Sequence, residues 1–142
     1  MKEFVLAWAR ESGIGLDIVI TQKDVREIQL AKAAIATGIK ILLRIAGLHA
    51  SDIEVMFIAG AFGTYIDASS AIKIGMLPSI PLSRVKHVGN TAGTGAIMLL
   101  LSRELREKAE EISRKIKYVE LAAHPDFQKT FINSVVLEEY TT

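Results

Sequence analysis

Two glycine-bearing segments hold the residue types best suited to chemistry: Gly60-Ala61-Phe62-Gly63 and Gly89-Asn90-Thr91-Ala92-Gly93-Thr94-Gly95. Each follows a short apolar run. Glycine lets the backbone adopt left-handed angles and come close to a ligand. A helix opening after such a turn offers free N–H groups and the positive end of its dipole, which suits phosphate. In an open α/β sheet, ligands bind outside the carboxyl ends of the strands, where both segments are expected. Neither segment is a Walker A loop, because no Gly-Lys-Ser/Thr follows, and neither has the dinucleotide spacing. The spacing leaves two readings open: a nucleotide site, or tight turns and close helix–strand packing.

Other polar residues have simpler explanations. His49, His87 and His124 show no metal-ligand spacing, so no metal site is expected. Asp24, Asp52, Asp67 and Asp126 stand where caps are needed. There is no cysteine nucleophile and no Gly-x-Ser-x-Gly elbow. No catalytic residue is assigned. Lys23, Glu27, Gln29 and Lys32 line the first turns of a long helix. Either that face borders a cleft and contacts a base or ribose, or it is the solvated side of an amphipathic helix.

The positioning elements follow from periodicity. Residues 4–7 and 16–20 read as strands. Thr21 and Asp24 have capping-box spacing. Val25, Ile28, Ala31, Ile35, Ile39, Leu42 and Ala46 then recur at helical steps up to Gly47, which suits a C-terminal cap. Residues 53–59 and 85–88 read as buried strands, 68–74 and 96–101 as helices, and Ser102 as the start of another helix. Residues 118–122 read as a last strand, and Pro125 as the first position of a final helix. Strands alternating with helices indicate α/β architecture with a mostly parallel sheet, in a single domain over residues 1–142.

Composition narrows the classes. A net charge of +1 gives no case for nucleic acid or an anionic membrane. The absence of cysteine excludes a disulfide framework and an iron–sulfur cluster held by this chain. No apolar run is long enough for a transmembrane helix or a signal peptide, so a cytoplasmic address is expected. The chain opens almost directly into strand-like sequence, as a piece of a longer protein would.

Ordered blocks carry a more specific signal. Ile20-Thr21-Gln22-Lys23-Asp24-Val25-Arg26-Glu27-Ile28-Gln29-Leu30-Ala31-Lys32 comes first, then Phe57-Ile58-Ala59-Gly60-Ala61-Phe62-Gly63-Thr64-Tyr65-Ile66-Asp67. Ala71-Ile72-Lys73-Ile74-Gly75-Met76-Leu77-Pro78 and Val88-Gly89-Asn90-Thr91-Ala92-Gly93-Thr94-Gly95-Ala96 follow. Tyr118-Val119-Glu120-Leu121 and His124-Pro125-Asp126-Phe127 close the series. In this order the blocks resemble the last part of the ATP-dependent reductive activators of corrinoid proteins.

The resemblance implies a ribonuclease H-like, actin-like ATPase lobe. It is the second, adenosine-motif half of a domain of the acetate and sugar kinase, chaperone and actin superfamily. The first half, and an N-terminal ferredoxin domain with a 2Fe-2S cluster, would lie elsewhere in the parent. The implied activity is ATP-driven reduction of an inactive Co(II) corrinoid protein to Co(I) for methyl transfer, with Mg as the parent's metal. The implied partner is a corrinoid iron–sulfur protein or a corrinoid methyltransferase protein, with a homodimer as the assembly.

Carried onto this chain, Gly60, Ala61, Phe62 and Gly63 would form the adenosine loop. Gly89, Asn90 and Gly93 would begin the neighbouring helix, and Gln29 and Lys32 would border adenine. Ala61 departs from the family pattern: many superfamily members have glycine there, and its methyl group would narrow the approach of a ribose or phosphate. The fragment alone would not hydrolyse ATP. Two rival readings are a dimerisation or corrinoid-protein docking module with weak nucleotide binding, and an ATPase serving another low-potential acceptor.

Overall fold

The computed structural model describes residues 3–138, apart from the side chains of Ala61 and Phe62. The expected tail beyond residue 138 lies outside the described residues. In chain order the elements are β1 (Glu3–Ala7), β2 (Ile18–Thr21), α1 (Gln22–Ala46), β3 (Met56–Ala59), α2 (Gly60–Tyr65) and α3 (Ala68–Lys73). Then come β4 (Val85–Gly89), α4 (Thr91–Leu101), α5 (Arg103–Lys115) and α6 (Phe127–Asn133). Strands β1 and β2 pair antiparallel as a hairpin, and β3 and β4 pair parallel. The class is α/β with a small parallel sheet, as expected.

Helix α1 forms where its caps and periodicity place it. The Asp24 carboxylate accepts from the Thr21 backbone N–H at 2.8 Å, and the Asp24 N–H donates to Thr21 Oγ1 at 3.3 Å. These bonds satisfy donors that a helix start leaves orphaned. The Thr21 hydrogen bonds also hold the Asp24 carboxyl below its ordinary range. At the other end Gly47 takes φ 67°, and its N–H reaches back to the last carbonyls. One face of α1 is fully enclosed: Ala33, Ala36, Thr37 and Ile41 have no exposed surface. Burying Ile41 contributes about 1.5–3 kcal/mol. Ile35 and Ile39 pack on a core of Ala71, Met76 and Leu77, joined by Met56 and Ile58 of β3.

The helix α6 lies against α1. Its Phe127 and Phe131 rings stack with centroids 6.0 Å apart. Asp126 Oδ2 accepts from the Arg44 guanidinium at 2.9 Å. Both side chains are about half exposed, so the pair adds at most about 1 kcal/mol.

Five expectations require correction. Strands β3 and β4 are not buried: each residue in them is half-buried or exposed. The segment from Gly60 is the first turn of α2, not a loop closing β3. Helix α4 begins at Thr91, five residues before the expected start. Glycine's low helix propensity masked that turn; the Asn90 side chain, which accepts from the Gly93 N–H at 3.0 Å, secures it. Residues 118–122 are not a strand. No neighbouring strand pairs with them, and Leu121 instead covers α1 where Gly38 leaves room, 3.4 Å from the position of an added Cβ. Pro125 precedes α6, which starts at Phe127.

Removing the Thr21 cap by Thr21→Ala is expected to lower unfolding free energy by about 1 kcal/mol. Urea denaturation followed by circular dichroism checks this, and an unchanged midpoint would show that α1 is fixed by packing alone.

Candidate functional site

The two glycine segments meet through strand register. In the parallel pair Met56 lies opposite Val85, Phe57 opposite Lys86, Ile58 opposite His87, and Ala59 opposite Gly89. The carboxyl ends of both strands therefore stop side by side, and α2 and α4 depart from neighbouring points. Arg84 helps set this register. Its guanidinium donates to the Ile53 carbonyl at 2.9 Å and the Ser51 carbonyl at 3.3 Å, tying the approach to β4 to the approach to β3.

The glycines divide into two kinds. Gly60 has φ 83° and Gly89 φ 65°, angles that L side chains rarely adopt. At both, a Cβ would point into open space with no atom within 4 Å. These two leave the backbone accessible at the strand ends. Gly63 and Gly93 serve packing. A Cβ on Gly63 would lie 2.6 Å from Ile58 Cγ2 and 3.2 Å from the Ile58 carbonyl carbon. One on Gly93 would lie 2.8 Å from Asn90 Nδ2, within the cap itself. Ala61 and Phe62 lie in the backbone of α2; the expected effect of the Ala61 methyl group falls outside the described side chains.

The two helix starts echo one another. Thr64 Oγ1 donates to the Gly60 carbonyl, and Thr94 Oγ1 to the Asn90 carbonyl, both at 3.1 Å. Neither helix has an acidic residue in its first turn, so no carboxylate there neutralises the positive end of the dipole. His87 is a positioning residue that sequence reasoning left without a role. Its Nδ1 lies 2.8 Å from the Gly63 carbonyl oxygen. A carbonyl can only accept, so Nδ1 carries the proton, and β4 is latched to α2. The visible signal was a polar pair, Lys86-His87, inside an apolar strand.

An apolar recess of ≈ 360 Å³ opens beside the first turn, lined by Ile35, Ile39, Phe57, Ala59, Gly63 and Leu77 among others. Helix α1 does border the glycine segment, but through Ile35 and Ile39. Among the described residues, Gln29 and Lys32 neither line that recess nor hydrogen-bond to either glycine segment. Lys32 is 3% exposed, so it is not part of a solvated face. Its ammonium lies 3.2 Å from where a Cβ on Gly75 would be. Burial lowers its pKa, as does the charge of Lys40, while Glu138 opposes the shift. Among the described residues no group of three or more His, Cys, Asp or Glu side chains could hold a metal ion.

Comparison with known proteins bears on this geometry. A family model described as the C-terminal domain of RACo, the ASKHA domain, matches residues 1–142. The chain is 48% identical to the corrinoid activation enzyme RamQ of Eubacterium limosum over 129 residues, 91% of this chain and 22% of that protein. It is 33% identical to the Co(II) methylated amine-specific corrinoid protein reductase of Methanosarcina barkeri over 103 residues, 72% of this chain and 19% of that protein. A solved structure of a reductive activator for corrinoid, iron–sulfur protein superposes with a TM-score of 0.84 at 41% identity, covering 96% of this chain and 22% of that one. The chain thus spans about a fifth of the length of these relatives.

Lys32 gives a pH test of the buried face. Its folded-state pKa lies below the ordinary 10.5. Between the two values the unfolded chain holds more protons, so stability rises as pH climbs through that window and is least below it. Lys32→Met is expected to flatten the rise that lies below the ordinary lysine value of 10.5. It should leave stability at neutral pH equal or higher. Denaturant midpoints across that range measure both effects; a steeper rise in the variant would contradict the assignment.

Proposed function

The chain belongs to the family of C-terminal ASKHA domains of corrinoid reductive activators, and from that premise we propose that it is the nucleotide-binding C-terminal lobe of an ATP-dependent reductive activator. The parent would reduce an inactive Co(II) corrinoid protein to Co(I) for methyl transfer. The observation that supports the lobe's role most is the Ala59–Gly89 register, which sets two open left-handed glycines side by side at the carboxyl ends of parallel strands.

The residues suit a nucleotide. Gly60 and Gly89 leave the backbone bare where a phosphate or ribose would approach. The starts of α2 and α4 add N–H groups with no acidic residue in the first turn of either helix. The apolar recess beside Ala59 has a volume of the size small ligands occupy. Asn90, Gly93 and Gly63 hold the two helix starts in place, and Thr64 and Thr94 tie off their first turns. Ala61 and Phe62 belong to the same segment. Gln29 and Lys32, on α1, complete the proposed set as the residues that would border adenine.

When bound, ATP supplies the free energy that couples domain closure to reduction. A nucleotide shifts a conformational equilibrium only by its differential affinity for the two states. The magnesium ligands are assigned to the remainder of the parent, as is a 2Fe-2S cluster in an N-terminal ferredoxin domain. The corrinoid partner is a corrinoid iron–sulfur or methyltransferase protein. A cytoplasmic homodimer is the proposed setting of the whole protein.

Calorimetric titration of the full-length protein with ATP and ADP, paired with an assay of corrinoid reduction, tests this reading. Gly60→Ala and Gly89→Ala each force a side chain into the left-handed region, at about 1–2 kcal/mol. Each is expected to weaken nucleotide affinity about tenfold, equivalent to 1.4 kcal/mol, with the fold retained by circular dichroism. A full-length protein whose corrinoid reduction ignores nucleotide would refute the proposal.

A further inference from the structure

One end of the apolar recess adjoins a place where three distant parts of the chain converge. Ile35 and Ile39 wall the recess from α1, and Met76 and Leu77 wall it from the segment after α3. Lys32 precedes Ile35 by three positions and Ile39 by seven, so it shares their helix face. Gly75 immediately precedes Met76. A Cβ on Gly75 would lie 3.2 Å from Lys32 Nζ and closer still to the Glu138 carbonyl oxygen. The segment after α6 therefore comes to rest where Lys32 and Gly75 flank the recess.

That segment is lightly held. Helix α6 is seated on α1 and ends at Ser134, which is buried. Beyond it Val136 and Leu137 are 52% and 40% exposed. Among the described residues, the backbone N–H groups of Val135 and Glu138 donate to the carbonyls of Ile132 and Val136, their own near neighbours. Gly75 makes the contact possible: it has φ 72° and no side chain to collide with the Glu138 carbonyl.

What the segment covers is a cation. Burial lowers the Lys32 pKa, the charge of Lys40 adds to the shift, and Glu138 opposes it. Enclosing the ammonium thus costs more than the Glu138 charge returns. Glu138 also brings a negative charge to the place where an anionic ligand would meet Lys32. A segment with few bonds over a costly buried charge has the character of a two-state element. We propose that residues 135–138 form an autoinhibitory strap: closed, it seals the Lys32 end of the recess and sets Glu138 in place of an anionic ligand; lifted, it frees Lys32 for the nucleotide. The inference rests on the nucleotide-binding reading above.

Two readouts on the full-length protein test it. Gly75→Ala sets a methyl group against the Glu138 carbonyl and should wedge the strap open. Acylation of Lys32 by an amine-reactive ester, followed by mass spectrometry, is expected to run about tenfold faster in that variant. Its ATP affinity by calorimetry should tighten about tenfold, as a competent fraction of roughly a tenth in the unaltered protein would give. Glu138→Gln changes an exposed side chain and keeps the test open should the first variant misfold. It should tighten ATP binding about threefold, and unchanged affinity would overturn the proposal. Unchanged acylation in a folded Gly75→Ala protein that binds ATP would overturn the strap and leave the nucleotide reading standing. Faster acylation with unchanged ATP affinity would overturn the inhibition. Faster acylation with no ATP binding by any of the three proteins would overturn both readings.

Discussion

The parallel pairing of β3 with β4 is the constraint on which the rest depends. Parallel strands cannot be joined by a tight turn. The chain must leave β3, cross through α2 and α3, and return through the Pro78–Pro81 region to begin β4. Arg84 fixes where that return starts by holding the carbonyls of Ser51 and Ile53. From Met56 opposite Val85 the register runs regularly to Ile58 opposite His87, then shifts by one residue so that Ala59 faces Gly89, and both glycine segments fall at one edge. A slip of one residue would turn Met56 and Ile58 away from the α1 core.

That edge combines open and closed elements. Gly60 and Gly89 stay open and left-handed, while Gly63 allows α2 to sit against Ile58. The His87 bond to the Gly63 carbonyl then fastens the arrangement from the β4 side. The sequence reading offered ligand approach and close packing as rivals for these glycines. The structure divides the roles between them, because a left-handed angle with free space and a crowded Cβ position are different physical demands.

Helix α1 is the support behind the sheet. Its enclosed residues include the small Ala33, Ala36 and Gly38, and Leu121 comes close to its backbone at Gly38. Its Ile35 and Ile39 join the β3 core, and the same two residues wall the recess beside the glycine segment. The elements β1, α4 and α5 have no such support. Helices α4 and α5 have no buried residue, and Phe4 and Leu6 of β1 are exposed.

Much was legible in the sequence because it is written in neighbours. The Thr21–Asp24 box, the Gly47 cap, the helical step of α1 and the Ser102 cap of α5 each depend on residues within four positions. The ordered blocks from Ile20 to Phe127 likewise identified the family. What the tertiary structure decided depends on residues far apart in the chain. Residues 118–122 have strand-like composition but no strand to pair with, so Leu121 packs on α1 instead. Lys32 reads as a surface residue by type, yet Gly75, 43 positions later, brings chain against it and encloses it. The glycine segments announced themselves singly, but only the register between β3 and β4 could place them together, since backbone pairing is set by partners that local spacing does not reveal.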